Sequence, residues 1–97
     1  MQPSALRALE FDQIVKGIIE DKEAIIRHNP IGTREEILLW MLLNCLVNYL
    51  SLNEHETPCF KGRPDASTYR RAIESVLCDR RVEQFDISLA FDGLLEE

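Results

Sequence analysis

The chain has 97 residues, 45% hydrophobic and 29% charged, with a formal net charge of −6. That length suits one modest core rather than a catalytic domain with a regulatory one beside it, and the balance excludes disordered and fibrous classes. The charge is uneven: residues 1–60 carry five basic and nine acidic groups, 61–81 carry six and three, and 82–97 carry none and five.

The first predicted element is a helix from Phe11, or from a turn or two earlier at Ser4, to about His28. Phe11, Ile14, Val15, Ile18, Ile19, Ile25 and Ile26 recur at the spacing of one helical face. Asp12, Lys16, Glu20, Glu23 and Arg27 project from the other. Asn29-Pro30 ends it, because proline disfavours helical backbone in the residue before it. Leu6 and Leu9 fall off the stripe, so the first ten residues form a separate turn or bend over the end of the bundle.

The second element organises the fold. From Ile37 to Leu52 the chain reads ILLWMLLNCLVNYLSL, sixteen residues without a charge, glycine or proline. Thr33-Arg34-Glu35-Glu36 in front of it has the spacing of a capping box. A helix over about 34–52 is predicted, apolar around most of its circumference, so neighbours must enclose it on several sides. One seam is polar: Asn44, Asn48, Ser51 and, if the helix extends, His55. Sixteen residues are too few to span a bilayer, which takes about 20.

NEHETPCFKGRP follows as a surface loop with two prolines and a glycine. Helix three starts near Asp65, capped by Asp65 or Ser67. Its buried stripe is Tyr69, Ala72, Ile73, Val76 and Leu77, and Arg70, Arg71, Glu74 and Arg81 lie outside. In the tail, Phe85, Ile87, Leu89 and Phe91 alternate as in a strand, whereas Ile87, Ala90, Phe91, Leu94 and Leu95 repeat as in a helix. A lone strand would leave its ladder groups unpaired. A helix over 87–96 with Asp86 as cap is therefore favoured, and a strand is kept as the alternative.

The candidate sites follow from these placements. Lys61, Arg63, Arg70, Arg71, Arg80 and Arg81 surround helix three, whose start, DASTYRRAIESVL, resembles recognition helices of helix-turn-helix proteins over about a dozen residues. The resemblance implies that Ser67, Thr68, Arg70 and Arg71 would face bases and phosphates. The acidic total and the lack of a tight turn before Asp65 oppose it, and a solvated basic face is the simpler reading. Lys22 and Arg80 fall within apolar stripes, either as a cationic pocket or as stems reaching water. Asn44 and Asn48 line an interface or simply meet solvent, and Trp40 lies beside them. His55 and Cys59 are the one cluster suggesting nucleophilic or metal chemistry. They lack the orienting third group of a catalytic cysteine and the paired spacing of a zinc site.

LRALEFDQIV resembles the opening of some MutS-like ATPases over ten residues, none of which belongs to ATP-binding machinery. No Gly-rich phosphate loop, Cys-x-x-Cys or Gly-x-Ser-x-Gly accompanies it. Nor does the N-terminus read as a secretory signal. Three cysteines without close pairs, Cys45, Cys59 and Cys78, fit free thiols in a reducing cytoplasm.

The expectation is one all-α domain over residues 1–97, a bundle of three to four helices around the central apolar one. Its expected role is a cytoplasmic, self-associating protein-interaction or regulatory module without catalysis, cofactor, metal or membrane contact. The partner is a second copy or another protein, with Trp40, Tyr49 and Leu50 as anchors. Asn44, Asn48, Arg70 and Arg71 complete the candidate interaction residues. The alternative is a small DNA-binding regulator using the basic helix 65–81.

Overall fold

The computed structural model describes residues 8–30 and 32–96. Local signals start and stop five helices among them: α1 (Ala8–Glu20), α2 (Lys22–His28), α3 (Arg34–Leu50), α4 (Ala66–Asp79) and α5 (Gln84–Leu95). The capping box forms as its residues dictate. Thr33 Oγ1 accepts from the Glu36 N–H at 3.1 Å, and the Glu36 carboxylate accepts from the Thr33 N–H at 3.3 Å. Asp65 caps α4, its carboxylate accepting from the Thr68 N–H at 2.8 Å and the Thr68 hydroxyl at 2.7 Å. These bonds hold the Asp65 carboxyl below its usual range.

The apolar α3 is the centre. Leu38, Leu42 and Leu46 recur every four residues along it and are fully buried, with Leu39 and Leu43 widening the stripe. All four other helices pack against it. Phe11, Val15 and Ile18 of α1, Ile73 and Leu77 of α4, and Ile87, Phe91 and Leu94 of α5 join it in one continuous cluster. The chain therefore encloses its own central helix, leaving Trp40 and Tyr49 as its exposed large apolar groups. The Cα radius of gyration, 12.9 Å, is that of a packed chain of this length, for which about 12.5 Å is expected.

The helix expected over residues 11–28 is two helices, which raises the count from three or four to five. Gly17 and Asp21 are both poor helix formers, and Asp21 leaves helical geometry at φ −100°, ψ 12°. Its N–H still reaches the Gly17 carbonyl at 3.3 Å, and Ile25 N–H reaches the Asp21 carbonyl at 2.9 Å, so helix resumes at once. The apolar stripe runs through the break, with Lys22 as the one charge within it. A start at Ser4 and the position of Leu6 lie outside the described residues. Leu9 does not belong to a separate turn or cover the bundle: it lies in the first turn of α1, exposed.

The tail is helix, and the strand alternative falls. Ile87, Phe91 and Leu94 are buried at helical spacing, while Phe85 and Leu89, two of the alternating set, are exposed. Asp86 is not the cap; it sits in the first turn, and Glu83 occupies the cap position without a side-chain bond. The far end of α5 is met by Lys22, whose ammonium donates to the Glu96 carbonyl. A cation there complements the helix dipole.

Two helices end alike on residues in left-handed backbone that are not glycine. After α3, Ser51 (φ 52°) donates to the Asn48 carbonyl at 3.3 Å, and Leu52 donates to that of Val47 at 3.0 Å. After α4, Arg81 (φ 64°) donates to Cys78 and Val82 donates to Leu77, both at 3.0 Å. This is the Schellman pattern, and buried Val82 and Leu77 supply its apolar contact. Glycine is the preferred residue at that position. Ser51→Gly and Arg81→Gly should each raise unfolding stability by about 0.5–1 kcal/mol, after allowing for the freer unfolded chain. Urea titration followed by circular dichroism measures it, and a loss in either variant would contradict the assignment.

Candidate functional site

Two concave surfaces combine apolar walls with polar groups. The first lies where the α2–α3 connection and the segment before α4 converge on the start of α3. Its cavity is about 320 Å³. Trp40 of α3 and Tyr69 of α4 form aromatic walls, with Pro30 and Pro64 beside them. Phe60 braces Tyr69 edge-on, with ring centroids 5.3 Å apart.

The polar groups here are set by local structure. Glu36 is in place because the capping box holds its carboxylate, and Arg63 Nη2 donates to the same Oε1 at 2.9 Å. The backbone of Gly32 lies under this pair. A Cβ there would stand 2.3 Å from Arg63 Nη2 and 2.6 Å from Glu36 Oε1, and φ is +94°. His28 Nδ1 donates to the Ala24 carbonyl at 2.8 Å, which leaves Nε2 available. The Tyr69 hydroxyl and the Trp40 indole N–H have no hydrogen-bond partner among the described residues. Burial, chiefly, and then the Glu36 charge raise the Tyr69 phenol above its ordinary range, so at neutral pH it stays a donor.

The second surface is a groove of about 490 Å³ between α1 and α5. Leu9 and Ile19 border it from α1 and Leu89 from α5, with Asp12, Lys16 and Asp86 at its rim. Phe85 stands one turn before Leu89 on α5. Exposures of 65% for Leu9, 72% for Phe85 and 54% for Leu89 are far above those of the core.

The residues singled out from the sequence do not form one site. Trp40 lies in the first cleft. Asn44 turns its amide back to the Trp40 carbonyl at 2.9 Å, so one member of the polar seam is satisfied locally. Asn48 is exposed one turn further on, and Leu50 is half-buried. Tyr49 is exposed, but nine residues after Trp40 a helix has turned about 180° past full turns, which sets the two rings on opposite sides. Arg70 does not project freely: its guanidinium carbon lies 4.6 Å from the centroid of the buried Phe91 ring. Arg71 is exposed.

Of the six cations around α4, Arg63, Arg70 and Arg80 are thus engaged by Glu36, Phe91 and Glu56 respectively. Arg80 answers the question its stripe position raised. Its side chain is 13% exposed and meets Glu56, 46% exposed, at 3.2 Å. Glu56 is held by a turn in which Asn53 Oδ1 accepts from the N–H groups of His55 and Glu56. His55 contributes backbone there and its ring is exposed, and Cys59 is exposed too. Among the described residues no group of three or more His, Cys, Asp or Glu gathers at metal-binding distances, and no helix is long and apolar enough to cross a membrane.

The cleft was invisible in the chain because its walls come from residues 28–40 and 63–69, of which only Trp40 and Arg63 belong to candidate sites read from the sequence, and to different ones. Comparison with protein-family models, with curated proteins and with solved structures gives no match.

Proposed function

We propose that the protein is a small cytoplasmic interaction module that self-associates through the face shared by α1 and α5 and has no catalytic activity of its own. One observation carries this reading: the three large apolar side chains with the highest fractional exposure among the described residues, Phe85, Leu9 and Leu89, sit on these two adjoining helices beside a groove. Contiguous apolar groups rimmed by polar ones are the usual mark of a contact surface. The rim carries both signs, Lys16 on α1 and Asp86 on α5. A two-fold axis lets each copy's Lys16 approach the other's Asp86, so like charges need not meet. The burial of α3 needs no partner, which moves the expected anchors from Trp40 and Tyr49 to the α1–α5 face.

The alternative of DNA binding by α4 draws less support, since half of its cations are committed within the chain and the net charge is −6.

Light scattering or sedimentation equilibrium over a concentration series tests the proposal. The expected result is a dimer whose dissociation constant rises at least tenfold in Leu89→Glu, because a carboxylate would be desolvated in the interface. The fold should persist, as Leu89 is outside the core. A strict monomer at every concentration, or unaltered association in Leu89→Glu, sinks the reading.

A further inference from the structure

We infer that self-association through the α1–α5 face is controlled by ionic strength: two copies repel each other in dilute salt and pair once their carboxylates are screened. This rests on the dimer proposed above and adds how it is regulated.

The apolar anchors bring acids with them. On α5, Asp92 follows Phe85 by seven residues and Leu89 by three, so all three lie on one side of the helix. Asp86 borders the groove itself. On α1, Lys16 and Glu20 follow Leu9 by seven and eleven residues and fall in line with it, and Asp12 stands at the rim of the groove. Asp12, Lys16, Glu20 and Asp92 are exposed, and Asp86 is half-buried. Four carboxylates against one ammonium give these five residues a net charge of −3. The ammonium is already engaged, since Lys16 Nζ lies 3.1 Å from Asp12 Oδ2 on its own helix.

A two-fold contact is self-complementary, so a face of this charge must meet its equal. Moving Lys16 from Asp12 to an Asp86 across the axis frees as much negative charge as it covers. The attraction comes from Leu9, Phe85 and Leu89, and burying apolar surface hardly depends on dilute salt. The repulsion does depend on it: exposed charges act over about 30 Å at 10 mM salt and about 10 Å at 100 mM. Salt therefore removes the opposing force and leaves the favourable one.

Sedimentation equilibrium of the whole chain at about 10 mM and about 100 mM sodium chloride is the test. The dissociation constant should fall about three- to tenfold at the higher salt. Asp92→Lys halves the acid excess twice over, from four acids against one base to three against two, so it should tighten the dimer in dilute salt and remove most of the salt dependence. Glu54→Lys changes the total charge equally from the exposed α3–α4 connection and should leave most of that dependence in place. Both sites are exposed, so circular dichroism should show the fold unchanged. A dissociation constant that stays flat would overturn this control, and one that rises with salt would mean that the face meets a basic surface instead. Equal effects of Asp92→Lys and Glu54→Lys would overturn it too, while self-association stands. No dimer at either salt would sink self-association itself, and its control with it.

Discussion

Phe91→Ala should destabilise the fold by about 3–5 kcal/mol. The ring is fully buried and belongs to the central cluster together with side chains of α1, α3 and α4. Truncation removes its apolar area and leaves a cavity that close-packed neighbours cannot fill. It also strips the surface over which Arg70 lies 4.6 Å from the ring centroid. That contact is worth about 0.5–1 kcal/mol at a partly exposed site. A domain of this size holds roughly 5–15 kcal/mol in all, so the variant should be close to unfolding at room temperature. Urea denaturation followed by circular dichroism reads the loss. Phe91→Leu should retain most of the packing, and a cost below about 1 kcal/mol for the alanine variant would remove Phe91 from the core.

The second large effect comes from an ion pair in which the two partners are unequally covered. Removing the carboxylate in Glu56→Ala leaves the Arg80 guanidinium without its partner in a side chain only 13% exposed. A fully buried pair broken this way costs about 3–5 kcal/mol. Glu56 is half in water, which screens the pair, so about 1–2 kcal/mol is expected. Arg80→Met keeps the apolar stem and frees a carboxylate that solvent already reaches, so its cost should be below about 1 kcal/mol. Glu56→Gln should fall between them, since it can still accept from the Asn53 N–H, now at 3.2 Å from Oε1. The ordering of the three midpoints is the measurement. Equal losses in Glu56→Ala and Arg80→Met would show that packing, not charge, sets the cost.

Much of the architecture follows from short-range pattern. The capping box of Thr33 and Glu36, the Asp65 cap and the leucines of α3 each act within one or two helical turns, and each stands where its spacing put it. The tail was harder to read, because Ile87 and Phe91 fit both a two-residue and a 3.6-residue period. Burial of Leu94 and exposure of Leu89 separate the two. The break at Asp21 shows in the stripe only as the charge of Lys22 beside it, since periodicity records which side is buried and not whether the axis is continuous.

The functional surfaces were legible only in fragments. Trp40 was visible as a large aromatic group on a buried helix, yet its neighbours in space are Tyr69, Arg63 and Pro30 rather than Asn48 or Tyr49. Glu36 was read as a cap; that it also grips Arg63, 27 residues away, could not be seen locally. Leu89 looked like part of a possible strand, and its exposure beside Leu9 and Phe85 depends on how α5 settles against α1.

Caps and apolar spacing are properties of a few consecutive residues, so helix placement and the central role of α3 were written in the chain. Which cations remain free, which aromatic rings share a cleft and which apolar side chains still face water are decided by contacts between segments far apart in order. Those contacts exist only once each helix has chosen the neighbour against which it loses water.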